Sequence, residues 1–396
     1  MSSLHLRPRS SSAAAPLDDD DLLPEILLRL PPQPSSLPRD SAVCKLWRSL
    51  ASDPGFSRRF RAHHRRNPPL LGCFVKDFRY VHFQPALDPP NSISQGHFSF
   101  PIPAGNRFLP LGCRHGLLLI FDRPVGKQPQ LLVWDPVTGD QHHLNIPAGF
   151  DMGKASIGAA VFRARGDDIC HFQVVLVGNS DIQSTQAVAS VYSSVTGVWG
   201  NLVSTALPSK DSGFPTMIHM GVPAAMVGGS FYWLLNGDSQ GILAFDLDRR
   251  SLSCIPMPVE DTNGTGTGNI WVMRAEGGGL GFLLLRGFCA ELWKWKTDCK
   301  GVSSWVLGRS IDLDKLLPLD LEMGRKWPLI VGFAEDNNVM LLWTSVGVFT
   351  VQFESLQFKK VFESNPWYRF YPFEGVYTAD GVIGGGHYGA KLLRNT

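Results

Sequence analysis

Charge is scarce in this sequence. Asp, Glu, Lys and Arg make 18% of 396 residues, and 37 basic against 35 acidic residues leave a formal net charge of +2. So even a balance gives no overall field to hold a polyanion or an anionic membrane surface. Long apolar runs are missing as well. Runs such as GLLLIF from Gly116 and LGFLLL from Leu280 span six residues, against roughly 18 for a membrane span, and they read as buried strands. The seven cysteines are widely spaced, odd in number and contain no CxxC pair. Neither a disulfide framework nor a zinc ribbon is indicated, and a reducing compartment, cytoplasm or nucleus, is expected.

What the chain has in quantity is turn-formers: 40 glycines and 29 prolines, about 17% of residues against an average near 12%. Many short strands are therefore expected rather than long helices. The character changes near Asn67. Up to Arg66 there are 11 basic and 7 acidic residues, and the remainder carries 26 and 28. Three regions follow: a disordered tail over 1–16, rich in Ser, Ala and Arg, a helical domain over 17–66 and a β-rich domain over 67–396.

In the helical region, DDDDLLPEILLRL offers capping acids and then Leu23, Ile26, Leu27 and Leu30 at helical spacing before Pro31-Pro32. PRDSAVCKLWRSLAS puts Val43, Leu46, Trp47 and Leu50 on a second apolar face, and a third helix is expected through FSRRFRAHH. Helices this short bury little among themselves, because a unit of about 45 residues is near the limit for independent folding. Part of the apolar surface is expected to meet a partner.

The remainder repeats a strand, a turn and a strand: VWDPVTGD at Trp134, VYSSVTGVW at Tyr192, AFDLDRRSL at Phe245, ELWKWKTD at Trp293 and VQFESLQF at Phe353. Their spacings are 58, 53, 48 and 60 residues, a period in the range of a kelch-sized propeller blade. The fold class expected is thus a small all-α domain of about three helices followed by a large all-β domain, a β-propeller of about six blades. Its last blade is to be completed by LLGCFVKDFRYVHFQP from one end of the domain and PWYRFYPFEGVYTADGVIGGGHYGAKLL from the other.

LLPEILLRLPPQPSSLPRDSAVCKLWRSLASDPGF resembles an F-box of the form common in plants. CRHGLLLI at Cys113, WDPVTG at Trp134, FYWLL at Phe231, ILAFDL at Ile242 and VGFAEDNNVMLLWTSVGVF at Val331 resemble the β-rich domain associated with it. One departure is that family members open the F-box with Leu-Pro, where this chain has Pro16-Leu17. The resemblance implies a non-catalytic substrate receptor of a Skp-cullin-F-box ubiquitin ligase. Its F-box docks on a Skp-type adaptor, and through it on cullin and RING subunits, while the β domain captures a protein for ubiquitination. Carried over position by position, the implied adaptor contacts are Leu23, Pro24, Ile26, Leu27, Leu30, Pro31, Leu37, Val43, Cys44 and Trp47, with Leu46 and Trp47 the foremost candidates for packing within the F-box instead.

Other signals carry less. RRFRAHHRR holds five arginines without interleaved stacking aromatics, so a solvated helix face is expected rather than a nucleic-acid site. NGTGTGN, from Asn263, lacks the Lys-Ser/Thr end of a phosphate loop. GKASIG around Ser156 has Lys154 where a nucleophile elbow needs Gly. The adjacent pairs His63-His64 and His142-His143 are expected to point apart. No metal, nucleotide or organic cofactor is expected, and no membrane partner. Two readings compete: a propeller hydrolase, distinguished by paired acids with perturbed titration in a central pocket, and a scaffold that binds the adaptor and delivers no substrate, distinguished by whether cullin joins.

Overall fold

The computed structural model describes residues 22–77, 80–98, 107–150, 156–163, 171–180, 185–208, 215–237, 240–258, 269–319, 326–363, 365 and 367–378. The acids Asp18–Asp21, residues 1–16 for which a disordered tail is expected, the NGTGTG glycines, Lys154 and the residues from 379 onward lie outside them. The chain divides into two compact units, one built on the segment up to His64 and the other covering Arg65–Val376.

The first unit holds four short helices among the described residues: α1 (Leu22–Leu28), α2 (Ser36–Ser41), α3 (Lys45–Ala51) and α4 (Pro54–His64). Pro24 lies in the first turn of α1, where a missing N–H is tolerated. Past its end the N–H groups of Arg29 and Leu30 bond back to Ile26 and Leu27, and Pro31-Pro32 stops it. The single helix expected across PRDSAVCKLWRSLAS is instead two, α2 and α3. Ala42 and Val43 donate to carbonyls only three residues back, and Cys44 is fully extended at φ −156°, ψ 173°. The Ser41 hydroxyl bonds back to the Pro38 carbonyl, competing with helix continuation, and β-branched Val43 follows. The DPGF motif starts α4. The Asp53 carboxylate accepts the Phe56 N–H at 2.6 Å and its carbonyl accepts Ser57, an N-cap with proline at the first helical position. Buried apolar side chains here are Leu23, Leu27, Leu28, Leu37, Ala51, Phe56 and Phe60. His64 reaches the Leu28 carbonyl through Nε2 at 2.8 Å, joining α4 to the end of α1.

The second unit is a β-propeller of six antiparallel sheets. It opens with β1 (Leu70–Lys76) and β2 (Val81–Pro85). The first blade is β3 (Arg107–Arg114), β4 (Leu117–Arg123), β5 (Gln130–Trp134) and β6 (Gln141–Asn145). The second is β7 (Ile157–Phe162), β8 (Gln173–Asn179) and β9 (Gln186–Ser193), on which both β10 (Val198–Trp199) and β11 (Val203–Ala206) pair. In the third, β12 (Met217–Ile218) and β13 (Ala225–Val227) share one side of β14 (Ser230–Asn236), followed by β15 (Gly241–Asp246) and β16 (Ser251–Pro256). The fourth is β17 (Ile270–Arg274), β18 (Leu280–Arg286), β19 (Cys289–Thr297) and β20 (Ser303–Asp312). A single turn, α5 (Leu313–Leu316), leads to the fifth: β21 (Leu329–Ala334), β22 (Val339–Thr344), β23 (Gly347–Gln352) and β24 (Gln357–Phe362).

The ring closes on β25 (Arg369–Glu374), which pairs antiparallel with β1 from Lys76↔Arg369 to Leu70↔Glu374. With β2 these strands form a three-stranded sheet, so both ends of the domain complete the sixth blade. Phe74 of β1, Phe83 of β2, Phe373 of β25 and the neighbouring Phe98 pack ring on ring at 4.9–6.4 Å. Gly72 permits this approach, because a Cβ there would lie 2.4 Å from both the Gln84 carbonyl and the Phe83 ring.

Inner strands are buried on both faces, as in IGAAVF of β7 and LGFLLL of β18, while outer strands such as β6 and β24 are largely exposed. Each blade packs both faces of its inner strands against its neighbours, hence the continuous apolar runs. The five repeated segments all fall on the hairpin between the third and fourth strands of a blade. In each, a residue with positive φ precedes the outer strand: Gly139, Gly197, Arg250, Gly301 and Leu356. In three of them an aspartate, Asp135, Asp246 or Asp298, accepts two backbone N–H bonds within the turn.

Candidate functional site

The ten residues implied as adaptor contacts separate by burial. Leu23 and Leu27 are each 1% exposed and Leu37 is 5% exposed, so they are interior side chains. Pro24, Ile26, Leu30 and Trp47 are half-buried, and Pro31, Val43 and Cys44 are exposed. Val43 is 63% exposed, and Leu46, foremost among the candidates for internal packing, is 42% exposed. The helix break accounts for this, since it turns Val43 and Cys44 out between α2 and α3. What remains is an uncovered apolar edge at Val43, Leu46 and half-buried Trp47. The arginine run lies on α4 and beyond it, with Arg58, Arg59 and Arg66 exposed and Arg61 and Arg65 half-buried. Arg59 pairs with Glu25 at 2.8 Å.

In the propeller, strands alternate in direction, so turns joining first to second and third to fourth strands all reach one face. A charged network gathers on that face around the hub. Arg114, at the end of β3, pairs with Glu335 at 2.6 Å and also bonds the Ala224 carbonyl of the third blade, with Phe231 beneath its guanidinium at 5.1 Å. Glu335 in turn accepts the Met226 N–H at 2.8 Å. Arg163, at the end of β7, pairs with Asp135 at 2.9 Å and donates its backbone N–H to His115 Nδ1. Burial, with Arg114, Arg65 and Arg163 adding, lowers His115 to about 3, so the ring is neutral and accepts.

Glu374 ends the closing strand and is 7% exposed. Its carboxylate accepts N–H bonds from Asp336 at 3.1 Å and Asn337 at 2.8 Å, and from the Asn337 side chain at 2.7 Å. Burial and the nearby Asp336 raise it to about 7, against the pull of those bonds. Asp336 is an exposed residue; partial desolvation by its surroundings and then Glu335 push its carboxyl up, while Arg114, Arg274 and Arg65 oppose the rise. Asp336 and Glu374 stand 38 positions apart, and only ring closure brings them together. Beside Arg114 and Glu335 lies a cavity of about 20 Å³, lined also by Cys113, Trp271 and Tyr371, room for about one water. Of the late aromatics, Phe370 and Tyr371 are core at 1% and 2% exposed, whereas Trp367 is 74% exposed.

Residues 111–377 match the family described as "F-box protein AT5G49610-like, beta-propeller". The chain belongs to this family. Two Arabidopsis thaliana relatives agree. "Putative F-box protein At3g21120" is 24% identical over 267 residues, 62% of this chain and 66% of that protein. "Putative F-box protein At1g47765" is 44% identical over 72 residues, 18% of this chain and 17% of the other. The chain thus matches just under two thirds of the first relative's length. Among solved structures, SapL1 lectin in complex with alpha methyl fucoside aligns over 76% of this chain and 99% of its own at 11% identity and a TM-score of 0.39. A Mycobacterium tuberculosis puromycin-hydrolyzing peptidase aligns over 67% of this chain and 40% of its own at 11% identity and a TM-score of 0.37. Likeness at that level carries no argument about function.

Proposed function

We propose that this F-box-family propeller is the substrate-recognition subunit of a Skp-cullin-F-box ubiquitin ligase, with the helical unit docking on a Skp-type adaptor and the propeller capturing the protein to be ubiquitinated. The observation that carries the first half is the uncovered apolar edge at Val43, Leu46 and Trp47 on a helical unit too small to bury it. Such surface is stabilised by a packed partner, as at the apolar centre of obligate interfaces. The receptor reading is also supported by how the hub's acids are used. Glycosidic or peptidic hydrolysis by a carboxyl pair needs both groups open to substrate, whereas Glu374 faces three N–H donors of a turn.

The test is a pair of exposed substitutions, Val43→Asp and Leu46→Asp, in the full chain. Both positions are outside the buried set, so helical content and melting are expected to hold. Adaptor affinity is expected to fall by at least tenfold, because a carboxylate would be desolvated in the contact. Undiminished co-purification of the adaptor overturns the assignment. For the second half, affinity purification with the proteasome inhibited, comparing the whole chain with one lacking residues 1–66, separates adaptor-dependent partners from those held by the propeller.

A further inference from the structure

The innermost strand of the third blade is interrupted. β12 ends at Ile218 and β13 begins at Ala225, and the loop between them, HMGVPA, reaches across the hub. A Cβ on Gly112 of the first blade would lie 3.5 Å from Pro223, and one on Gly221 would lie 3.9 Å from Nε of Arg369 in the sixth blade. His219 holds this loop in shape. Its N–H donates to the Leu234 carbonyl at 2.9 Å, and its Nδ1 accepts the Gly221 N–H at 3.0 Å. A ring whose Nδ1 accepts carries its proton on Nε2, and that donor has no acceptor among the described residues. Burial, which lowers His219 to about 4, keeps the ring in this neutral form.

Arg369 opens β25, at the end of that strand away from Glu374. Its partner across the closing ladder is Lys76 of β1, so two cations stand directly opposite each other, an arrangement that is destabilising by itself. Lys76 is answered in part, because its Nζ donates to the Asp77 carbonyl at 2.5 Å and the Asp77 charge lies close by. Arg369 is half-buried, and no carboxylate among the described residues pairs with it. Its guanidinium instead faces the third-blade loop. The point 3.9 Å from its Nε where a Gly221 Cβ would sit is also 2.9 Å from Cε1 of His219. With glycine at 221 that space is left unfilled, and Gly221 itself is partly exposed.

We propose that Arg369 and His219, with Lys76 beside them, form a carboxylate-binding site in the gap that Gly221 leaves, on the propeller face opposite the hub network. The guanidinium and the Nε2–H are donors without acceptors, and a carboxylate brings two acceptor oxygens to them. Its charge also offsets the repulsion between Lys76 and Arg369. The gap between the imidazole edge and the guanidinium is narrow, which suits a planar group. The carboxylate belongs either to a small organic acid or to an acidic polypeptide docked on that face; the second source rests on the receptor reading above, and the first does not.

Magnetic resonance on the full chain, with its histidines carbon-labelled at Cε1, tests this at neutral pH. Sodium acetate is titrated against sodium chloride at equal ionic strength, and the His219 signal is identified as the one missing in His219→Gln. That signal is expected to shift saturably with acetate and not with chloride. In Arg369→Gln the apparent Kd for acetate is expected to rise at least tenfold, the loss of one charge-assisted bond. Because this variant removes one of two opposed cations, its melting temperature without acetate is expected to hold or rise, which separates a lost ligand contact from a lost fold. Poly-glutamate distinguishes the sources: displacement of acetate by the polymer assigns the site to polypeptide carboxylates, and acetate binding that the polymer leaves untouched assigns it to a small acid. A His219 signal that responds equally to both salts overturns the site. So does an Arg369→Gln variant that titrates like the wild type.

Discussion

At the scale of single residues, burial decides which substitutions report on a partner and which on the fold. Leu27 is 1% exposed, so Leu27→Asp is expected to unfold the helical unit by placing a carboxylate in its interior. Loss of helical circular dichroism together with loss of adaptor binding is the outcome that checks it; an intact helical spectrum contradicts the assignment of Leu27 to the interior. His115 and His219 make a second case, because burial lowers them to about 3 and about 4, from 6.5. A depressed histidine favours the folded state above its unfolded value, and that contribution is lost as pH falls from 6.5 towards the folded values. His115 has φ 52°, a conformation asparagine tolerates well. His115→Asn is therefore expected to keep the turn, supply an oxygen to the Arg163 N–H and move the acid-unfolding midpoint of the propeller to lower pH. An unchanged midpoint in tryptophan fluorescence between pH 7 and 3 would mean that the ring is already protonated in the folded chain, contradicting its depressed value.

Among the elements, the outer hairpins repeat most regularly, and two of them, at Arg250 and Leu356, hold a non-glycine residue in the left-handed region. Leu356 occupies at φ 56° the place that glycine takes in three of the other four turns, and a left-handed non-glycine residue costs about 1–2 kcal/mol. Leu356→Gly is expected to recover about 0.5–1 kcal/mol after glycine's own entropic cost. That amounts to an upward melting shift of about 1–2 °C in a domain this large. A downward shift would show that the exposed leucine contributes packing. These hairpins were also the legible part of the sequence, since each carries a turn signature at a fixed offset from an aromatic or apolar strand. The inner strands were legible only as apolar runs, because side chains buried on both faces leave no alternation to read. The break between α2 and α3 was not legible, since Val43 and Leu46 keep helical spacing across it. The hub carboxylates were invisible because their proximity is created by ring closure rather than by local spacing.

For the whole molecule, the seam is the ladder that joins the two ends of the β domain. Phe373 is fully buried against Phe74, Phe83 and Phe98, and Phe373→Ala is expected to cost about 3–5 kcal/mol. The loss is expected as an earlier propeller transition in denaturant, with the signal of β7–β9 lost alongside that of β25 if the ring unfolds as one body. A β25 that exchanges freely while β7–β9 keep wild-type protection would show that the ring tolerates an open blade. The register of that seam also fixes an order in time. β1 lies near the start of the domain and its partner β25 near the end. During synthesis β1 must therefore wait, with one edge unpaired, while five blades emerge and fold. Closure is a contact of very high sequence separation and so a late, slow step. A ribosome stalled before residue 369 would release a propeller with two open edges, the form in which this domain is most exposed to strand-to-strand aggregation.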